Sequence, residues 1–166
     1  LFLFLMNNAY IQLGGNLGNR KGFLEKACEL ISENIGQVVK KSMIYESTPW
    51  GVDNQGYFLN QVLLIKTRFN PFELLEKILE IEKKIGRIRL EKWGERIIDI
   101  DVLFYNDIII ETEALCIPHS HISKRKFVLK PMNDISGEYL HPKLNQTIAD
   151  LLEKCLDDEK VEVYEE

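Results

Sequence analysis

Asp99 and Asp101 stand one residue apart in the apolar run Ile97–Tyr105, just after a loop carrying Arg87, Arg89, Lys92 and Arg96. The run has the β-branched character of a strand, and side chains alternate faces along a strand. The two carboxylates therefore share one face, with Cα atoms roughly 6.5–7 Å apart. Ile98, Ile100 and Val102 share the other face and are expected in the core. Like charges placed this way repel, and they are costly to desolvate without a cation between them. Mg²⁺ takes oxygen ligands, typically one or two carboxylates plus substrate phosphates. Guanidinium forks on the upstream loop match phosphate oxygens. Acid pair and arginine loop together suit the handling of a metal-bound polyphosphate. An Asp-x-Asp alone reads more readily as a sheet edge ion-paired with nearby arginines. The basic loop, bent at Gly86 and Gly94 and holding Trp93, favours a site.

The preceding chain must supply the elements that position this stretch. Ala9–Gly14 reads as a first strand, stopped by Gly14 and Gly15. The following GGNLGNR lacks the Walker Lys-Ser/Thr and the G-x-G-x-x-G spacing, so it is a strand-to-helix turn with Asn16 or Asn19 as cap. Leu24, Ala27, Cys28, Ile31 and Ile35 recur at helical spacing, with Gly36 as the expected C-terminal cap and Cys28 on the core stripe. Val38–Ser47 is a second strand, and Ser47–Gly56 a turn-rich loop with Pro49 and Trp50. Tyr57–Thr67 is a third strand, on which Phe58, Asn60, Val62 and Leu64 share a face. Asn60 needs hydrogen-bond partners there if it is buried. Asn70–Ile85 carries the clearest helix signals: Asn70 as cap, Pro71 in the first turn, Glu73 as box partner, and a stripe of Leu74, Ile78, Ile81 and Ile85 ended by Gly86. Asn106–Asp107 then turns the chain into Ile108–Ile110, an expected hairpin partner.

The order strand–helix–strand–strand–helix–strand is that of an α+β, ferredoxin-like βαββαβ sandwich. It predicts an antiparallel sheet with two helices on one face and the other face left for loops and ligand. Glu111–Glu166 adds PHSHISKRKFVLKP, a short helical TIADLLEKCL, and an acidic tail from about Asp157 that is either disordered or caps the sheet.

A chain of 166 residues is expected to form one domain over 1–166. Met6 is a candidate natural start, which would make Leu1–Leu5 an upstream remnant. LFLFLM is too short for a membrane span and lacks the basic region and cleavage site of a signal peptide. Hydrophobic content of 45% and charged content of 28% are those of an ordinary globular protein. A net charge of −5 argues against a general nucleic-acid binder. Between Lys83 and Arg96 there are nonetheless six Lys or Arg, which suits a small anionic ligand. Cys28, Cys116 and Cys155 are scattered without a C-x-x-C, as in a reducing cytoplasm. His119 and His121 follow Pro118, close to Lys124, Arg125 and Lys126. His141 is the only other histidine, too few for a zinc site. Phosphate contact by His119 and Arg125, or a solvated basic turn, are the readings left for that stretch.

The stretch R-x-R-x-x-K-W-G-x-R-x-x-D-x-D, Arg87 to Asp101, resembles the signature of the 6-hydroxymethyl-7,8-dihydropterin pyrophosphokinase family. Pro49-Trp50-Gly51, Phe58-Leu59-Asn60 and Pro118-His119 with Arg125 and Phe127 follow in the family's order, so the resemblance covers about Tyr10 to Pro142. It implies transfer of a pyrophosphoryl group from ATP to the hydroxymethyl of a reduced pterin, releasing AMP, in folate biosynthesis. Asp99 and Asp101 would then hold two Mg²⁺ ions, and Arg87 and Arg96 would contact the phosphates during transfer. Arg89 and Trp93 would lie in a loop that closes over the site. Phe58 and Phe127 would sandwich the pterin ring, with Asn60 and the backbone of Ser47 and Trp50 reading its edge. Glu82, Val102, His119 and Arg125 would belong to the ATP side. A cytoplasmic monomer acting on small molecules, with no membrane or nucleic-acid partner, is expected. This chain departs from the family pattern at Gly15 (serine expected), Lys92 (arginine), Glu95 (proline) and Ser120 (proline or tyrosine). Glu95 adds a negative charge to the loop, with looser ATP binding or loop closure as its expected effect.

Two readings from other classes compete. A ferredoxin-like ligand-sensing module would bind a nucleotide or amino acid without turnover, and has no use for the acid pair beside an arginine loop. A two-metal nucleotidyl transferase or cyclase would use the pair but release pyrophosphate in place of AMP.

Overall fold

The computed structural model describes residues 5–49, 54–87 and 94–166, so the expected roles of Trp50, Gly51, Arg89, Lys92 and Trp93 fall outside the described residues. Strands β1 (Asn7–Gly15), β2 (Gly36–Lys41), β3 (Tyr45–Ser47), β4 (Phe58–Thr67) and β5 (Asp99–Tyr105) are interleaved with helices α1 (Arg20–Asn34) and α2 (Pro71–Ile85). A two-stranded piece, β6 (Ile110–Glu111) with β7 (Cys116–Ile117), follows. Helices α3 (Lys126–Ser136) and α4 (Ile148–Lys154) and strand β8 (Val161–Val163) complete the order. The main sheet runs β5-β1-β4-β3-β8, with β2 also paired to β4, and every pairing is antiparallel. With β2 and β3 sharing the role of one strand, this is the ferredoxin-like order.

Local chemistry accounts for the helix ends. Asn19 caps α1 by accepting the Gly22 N–H, and Asn70 with Glu73 forms a full capping box on α2. Gly86 ends α2 at φ 105°, a left-handed conformation that glycine adopts without strain.

The sheet separates two cores. Ala9, Ile11 and Leu13 of β1, Leu59, Leu63 and Ile65 of β4, and Ile98, Ile100 and Val102 pack against the apolar stripes of α1 and α2. Tyr10, Val62, Leu103 and Phe104 point the other way, into a second core with Val128, Leu129 and Met132 of α3 and Ile148 and Leu151 of α4. A bulge makes this possible on β5. Ile11 pairs with Val102 and Tyr10 with Phe104, so Leu103 is an extra residue and the facing pattern shifts beyond the aspartates.

Several expectations are corrected. The second face of the sheet is not left free, because α3 and α4 cover the half near Tyr10 and Phe104. Helix α3 has no clear sequence signal, since Pro131 lies inside it and an interior proline normally ends a helix. Val38–Ser47 is two strands, interrupted at residues 42–44, where Ser42 turns its hydroxyl to the Val62 N–H. Gly36 opens β2 instead of capping α1: a Cβ there would lie 2.1 Å from the Lys66 carbonyl oxygen, so only glycine allows this strand approach. Ile108–Ile110 does not pair back on β5; Ile110 pairs with Ile117. The acidic tail contains β8, which extends the sheet beyond β3.

Candidate active site

Asp99 and Asp101 emerge on the sheet face that α3 and α4 leave open. Pairing with β1 places Asp99 opposite Gly14 and Asp101 opposite Gln12, while Gly14 also faces Asn60 of β4. The register therefore lines up Asp99, Gly14 and Asn60 across three adjacent strands. Gln12, Gly14, Ser47, Phe58, Asn60, Arg96, the two aspartates, Arg125 and Phe127 line a cavity of about 120 Å³, with Thr48, Pro49 and Gln55 at its side. Expected pterin contacts from four places in the chain, Ser47, Phe58, Asn60 and Phe127, thus meet in one space. The buried Asn60 amide donates to Ser47 Oγ at 2.8 Å, which satisfies part of its hydrogen-bonding demand. Each aromatic residue also has an arginine near it, Arg96 with its Cζ 6.0 Å from the Phe58 ring and Arg125 with its Cζ 5.8 Å from the Phe127 ring.

A second groove, of about 300 Å³, lies on the other side of Asp101. Leu75, Leu79, Val102 and Leu115 give it apolar walls, and Glu82, Arg87, His119 and Ser120 its polar ones. His119 and Arg125, expected together, thus border different depressions, though both positive charges act to lower the Asp101 pKa.

The two aspartates differ sharply in their partners. Arg96 Nη1 donates to Asp99 Oδ2 at 2.7 Å, and Arg87 Nη1 forms an ion pair with Asp99 Oδ1 at 2.7 Å. Among the described residues Asp101 makes no hydrogen bond or ion pair. Burial, and next the charge of Asp99, push its carboxyl up to about 6, despite His119, Arg87 and Arg125 nearby. A half-buried carboxylate of this kind beside a second one is a donor set suited to a hard divalent cation. The repulsion expected between the two carboxylates is thus offset at Asp99 by Arg87 and Arg96, while Asp101 has no such ion pair among the described residues.

Glu82 anchors the frame. Its buried Oε1 accepts the Ile100 N–H at 2.8 Å and also bonds Arg87, tying the end of α2 to the strand that carries the acid pair. Burial is the main cause of its raised pKa, and the Arg87 charge and the Ile100 N–H oppose it.

Asn16 was expected only as a possible cap, and its actual partner is the arginine loop. Its Oδ1 accepts the Arg96 N–H at 2.9 Å, and its own N–H donates to the Arg96 carbonyl at 3.0 Å. That pairing brings the chain at Gly15 so close that a Cβ there would lie 2.4 Å from the Ile97 carbonyl oxygen. A side chain at this departure from the expected serine would have to displace the Ile97 backbone as it stands here. Gln12 was also missed, although a lone amide inside the apolar AYIQLG run is the same signal that marked Asn60.

Comparison with known proteins identifies the family. The family model described as 7,8-dihydro-6-hydroxymethylpterin-pyrophosphokinase (HPPK) matches residues 10–137. The 2-amino-4-hydroxy-6-hydroxymethyldihydropteridine pyrophosphokinase of Aquifex aeolicus is 44% identical over 137 residues, 82% of this chain and 85% of that protein. The folic acid synthesis protein fol1 of Pneumocystis carinii is 44% identical over 148 residues, 89% of this chain but only 20% of that much longer protein. Among solved structures, Plasmodium falciparum HPPK-DHPS with pteroate matches at a TM-score of 0.77 and 22% identity, over 90% of this chain and 44% of that one. At that identity the likeness shows the fold alone. The sequence matches go further, and with a family match running from β1 into α3 through both walls of the cavity, this chain belongs to the 7,8-dihydro-6-hydroxymethylpterin-pyrophosphokinase family.

Proposed function

We propose that this protein transfers the pyrophosphoryl group of ATP to the hydroxymethyl of 6-hydroxymethyl-7,8-dihydropterin, giving AMP and the pterin diphosphate, a step of folate biosynthesis. The observation that carries this reading is that Asp101 borders both depressions, one aromatic and one apolar with cationic edges. A flat ring in the first and a nucleotide in the second bring the hydroxyl and the polyphosphate together at the acid pair.

Phe58 and Phe127 stack on the pterin, and Asn60, Ser47 and Trp50 read its edge. Holding the ring fixes the direction of the hydroxymethyl oxygen, and alignment of this sort is the main requirement of phosphoryl-type transfer. Asp99 and Asp101 would hold Mg²⁺, two ions in this proposal, which would supply charge neutralisation for the polyphosphate. The hydroxymethyl oxygen bonds to the β-phosphorus, the bond from that phosphorus to the α–β bridging oxygen breaks, AMP leaves, and the hydroxyl proton passes to solvent.

Arg87 and Arg96 meet the charge that develops on the phosphates. They hold Asp99 in the structure, but a guanidinium has five N–H donors, so phosphate oxygens can be engaged as well. Arg89, Trp93, His119 and Arg125 complete the ATP side, with Glu82 holding Arg87 and Val102 lining the groove. We also propose a monomer working in a reducing cytoplasm, which suits three separate free thiols. Among the described residues no helix is long and apolar enough to cross a membrane.

Chromatography of the nucleotides after incubation with Mg-ATP and the reduced pterin tests the reaction. AMP in step with pterin diphosphate is expected. ADP as the main product would indicate a simple kinase, and pterin-independent pyrophosphate would favour a nucleotidyl transferase or cyclase.

A further inference from the structure

We infer that the C-terminal segment Asp157–Val163 sets the spacing between the two walls of the ring cavity, with Asp157 as its positioning residue. This rests on the pterin reading of that cavity. The walls belong to separate elements: Ser47 and Phe58 come from the paired strands β3 and β4, and Phe127 from the first turn of α3. The start of α3 has no cap of its own, since Arg125 at the N-cap position makes no side-chain capping bond. Asp157 supplies it from 31 residues away.

One carboxylate bridges helix and tail. Asp157 Oδ2 accepts the Lys126 N–H at 2.8 Å, and its Oδ1 accepts the Glu159 N–H at 3.1 Å. The Lys126 ammonium returns to the Asp157 carbonyl. Directly beyond, the segment fastens the opposite wall. The Thr48 N–H donates to the Lys160 carbonyl at 3.2 Å, and Val161 pairs with Ser47. Lys130 of α3 then reaches across to the Val161 carbonyl at 2.6 Å. The same short run is thus bonded to α3 just beside Phe127 and to β3 at Ser47. The acid pair is held independently, by β1 and by Glu82. The family match ends at residue 137, so the tail half of this clamp, Asp157–Val163, lies outside it.

Calorimetric binding of the reduced pterin, and separately of a non-hydrolysable Mg-ATP analogue, to the full chain tests the inference. Asp157→Ala, checked as folded by its melt, should weaken pterin binding about ten-fold, the loss expected for a charge-assisted bond at a helix N-terminus. Asp157→Asn still accepts the Lys126 N–H and should recover most of it. Binding of the ATP analogue should weaken clearly less than that of the pterin, because of the ATP-side residues only Arg125 adjoins the clamp and the acid pair is held elsewhere. Lys130→Met removes the second fastening without touching the cavity and should give a smaller weakening, again for pterin alone. If Asp157→Ala does not fold, Lys130→Met decides. Wild-type pterin affinity in whichever variant is decisive, or equal weakening of both ligands, overturns the inference. Wild-type protein that binds no pterin overturns the functional reading and this inference with it.

Discussion

Asp99 and Asp101 project from the same face of one strand, yet Asp99 is held by two arginines while Asp101 has no ion pair among the described residues. The two positions should therefore respond oppositely to loss of charge. Asp99→Asn leaves Arg96 without its anion and Arg87 with Glu82 alone, and should lower the melting temperature without ligand by several degrees, for a loss of about 1–3 kcal/mol. Asp101→Asn removes a charge that burial disfavours and should raise the melting temperature or leave it unchanged. Turnover should collapse in both. Melts without ligand, paired with Mg-ATP turnover, check this; an active Asp101→Asn with a lowered melting temperature would count against a metal role.

The same carboxyl gives a pH signature. Its folded pKa of about 6 stands above the ordinary 3.8, so the folded state binds this proton more tightly than the unfolded chain does. The contribution to stability is fully present below about pH 4 and is lost as pH rises through about 6. The advantage of Asp101→Asn over wild type should accordingly be small at pH 4 and reach its plateau above pH 6–7. A stability gap that does not change across that window would contradict the assignment.

Phe127→Ala should weaken pterin binding far more than ATP binding. Offset stacking contributes about 0.5–1.5 kcal/mol beyond burial itself, and Phe127 lines only the ring cavity of the two. Parallel titrations of the two ligands check this, and equal weakening of both would reduce Phe127 to a structural role.

Arg96→Ala should lower kcat and kcat/KM together, by on the order of 10²–10³, as for a donor used chiefly in the transition state. Near-normal kcat with a raised KM for ATP would make Arg96 a ground-state anchor. Because Arg96 also holds Asp99, the unliganded protein should lose stability as well.

The parts of this protein that could be read from sequence are those governed by neighbours along the chain. Asn70, Glu73 and Gly86 define α2 within one turn at each end, and alternation alone separates Asp99 and Asp101 from Ile98, Ile100 and Val102. The parts that could not be read depend on distant pairing. Helix α3 persists through Pro131 because Val128, Leu129 and Met132 are buried against the sheet and Asp157 caps its start. Asn16 looked like a cap because its bond to Arg96 spans 80 residues. The different states of the two aspartates follow from where Arg87 and Arg96 come to rest, which no periodicity encodes.

The most direct test of the central claim uses ATP labelled with ¹⁸O in its α–β bridge. Attack of the hydroxymethyl oxygen on the β-phosphorus breaks the bond between that phosphorus and the bridging oxygen. Mass spectrometry should therefore find the label in AMP and the pterin diphosphate unlabelled. Label recovered in free pyrophosphate, or in ADP as the main nucleotide, would contradict pyrophosphoryl transfer at this site.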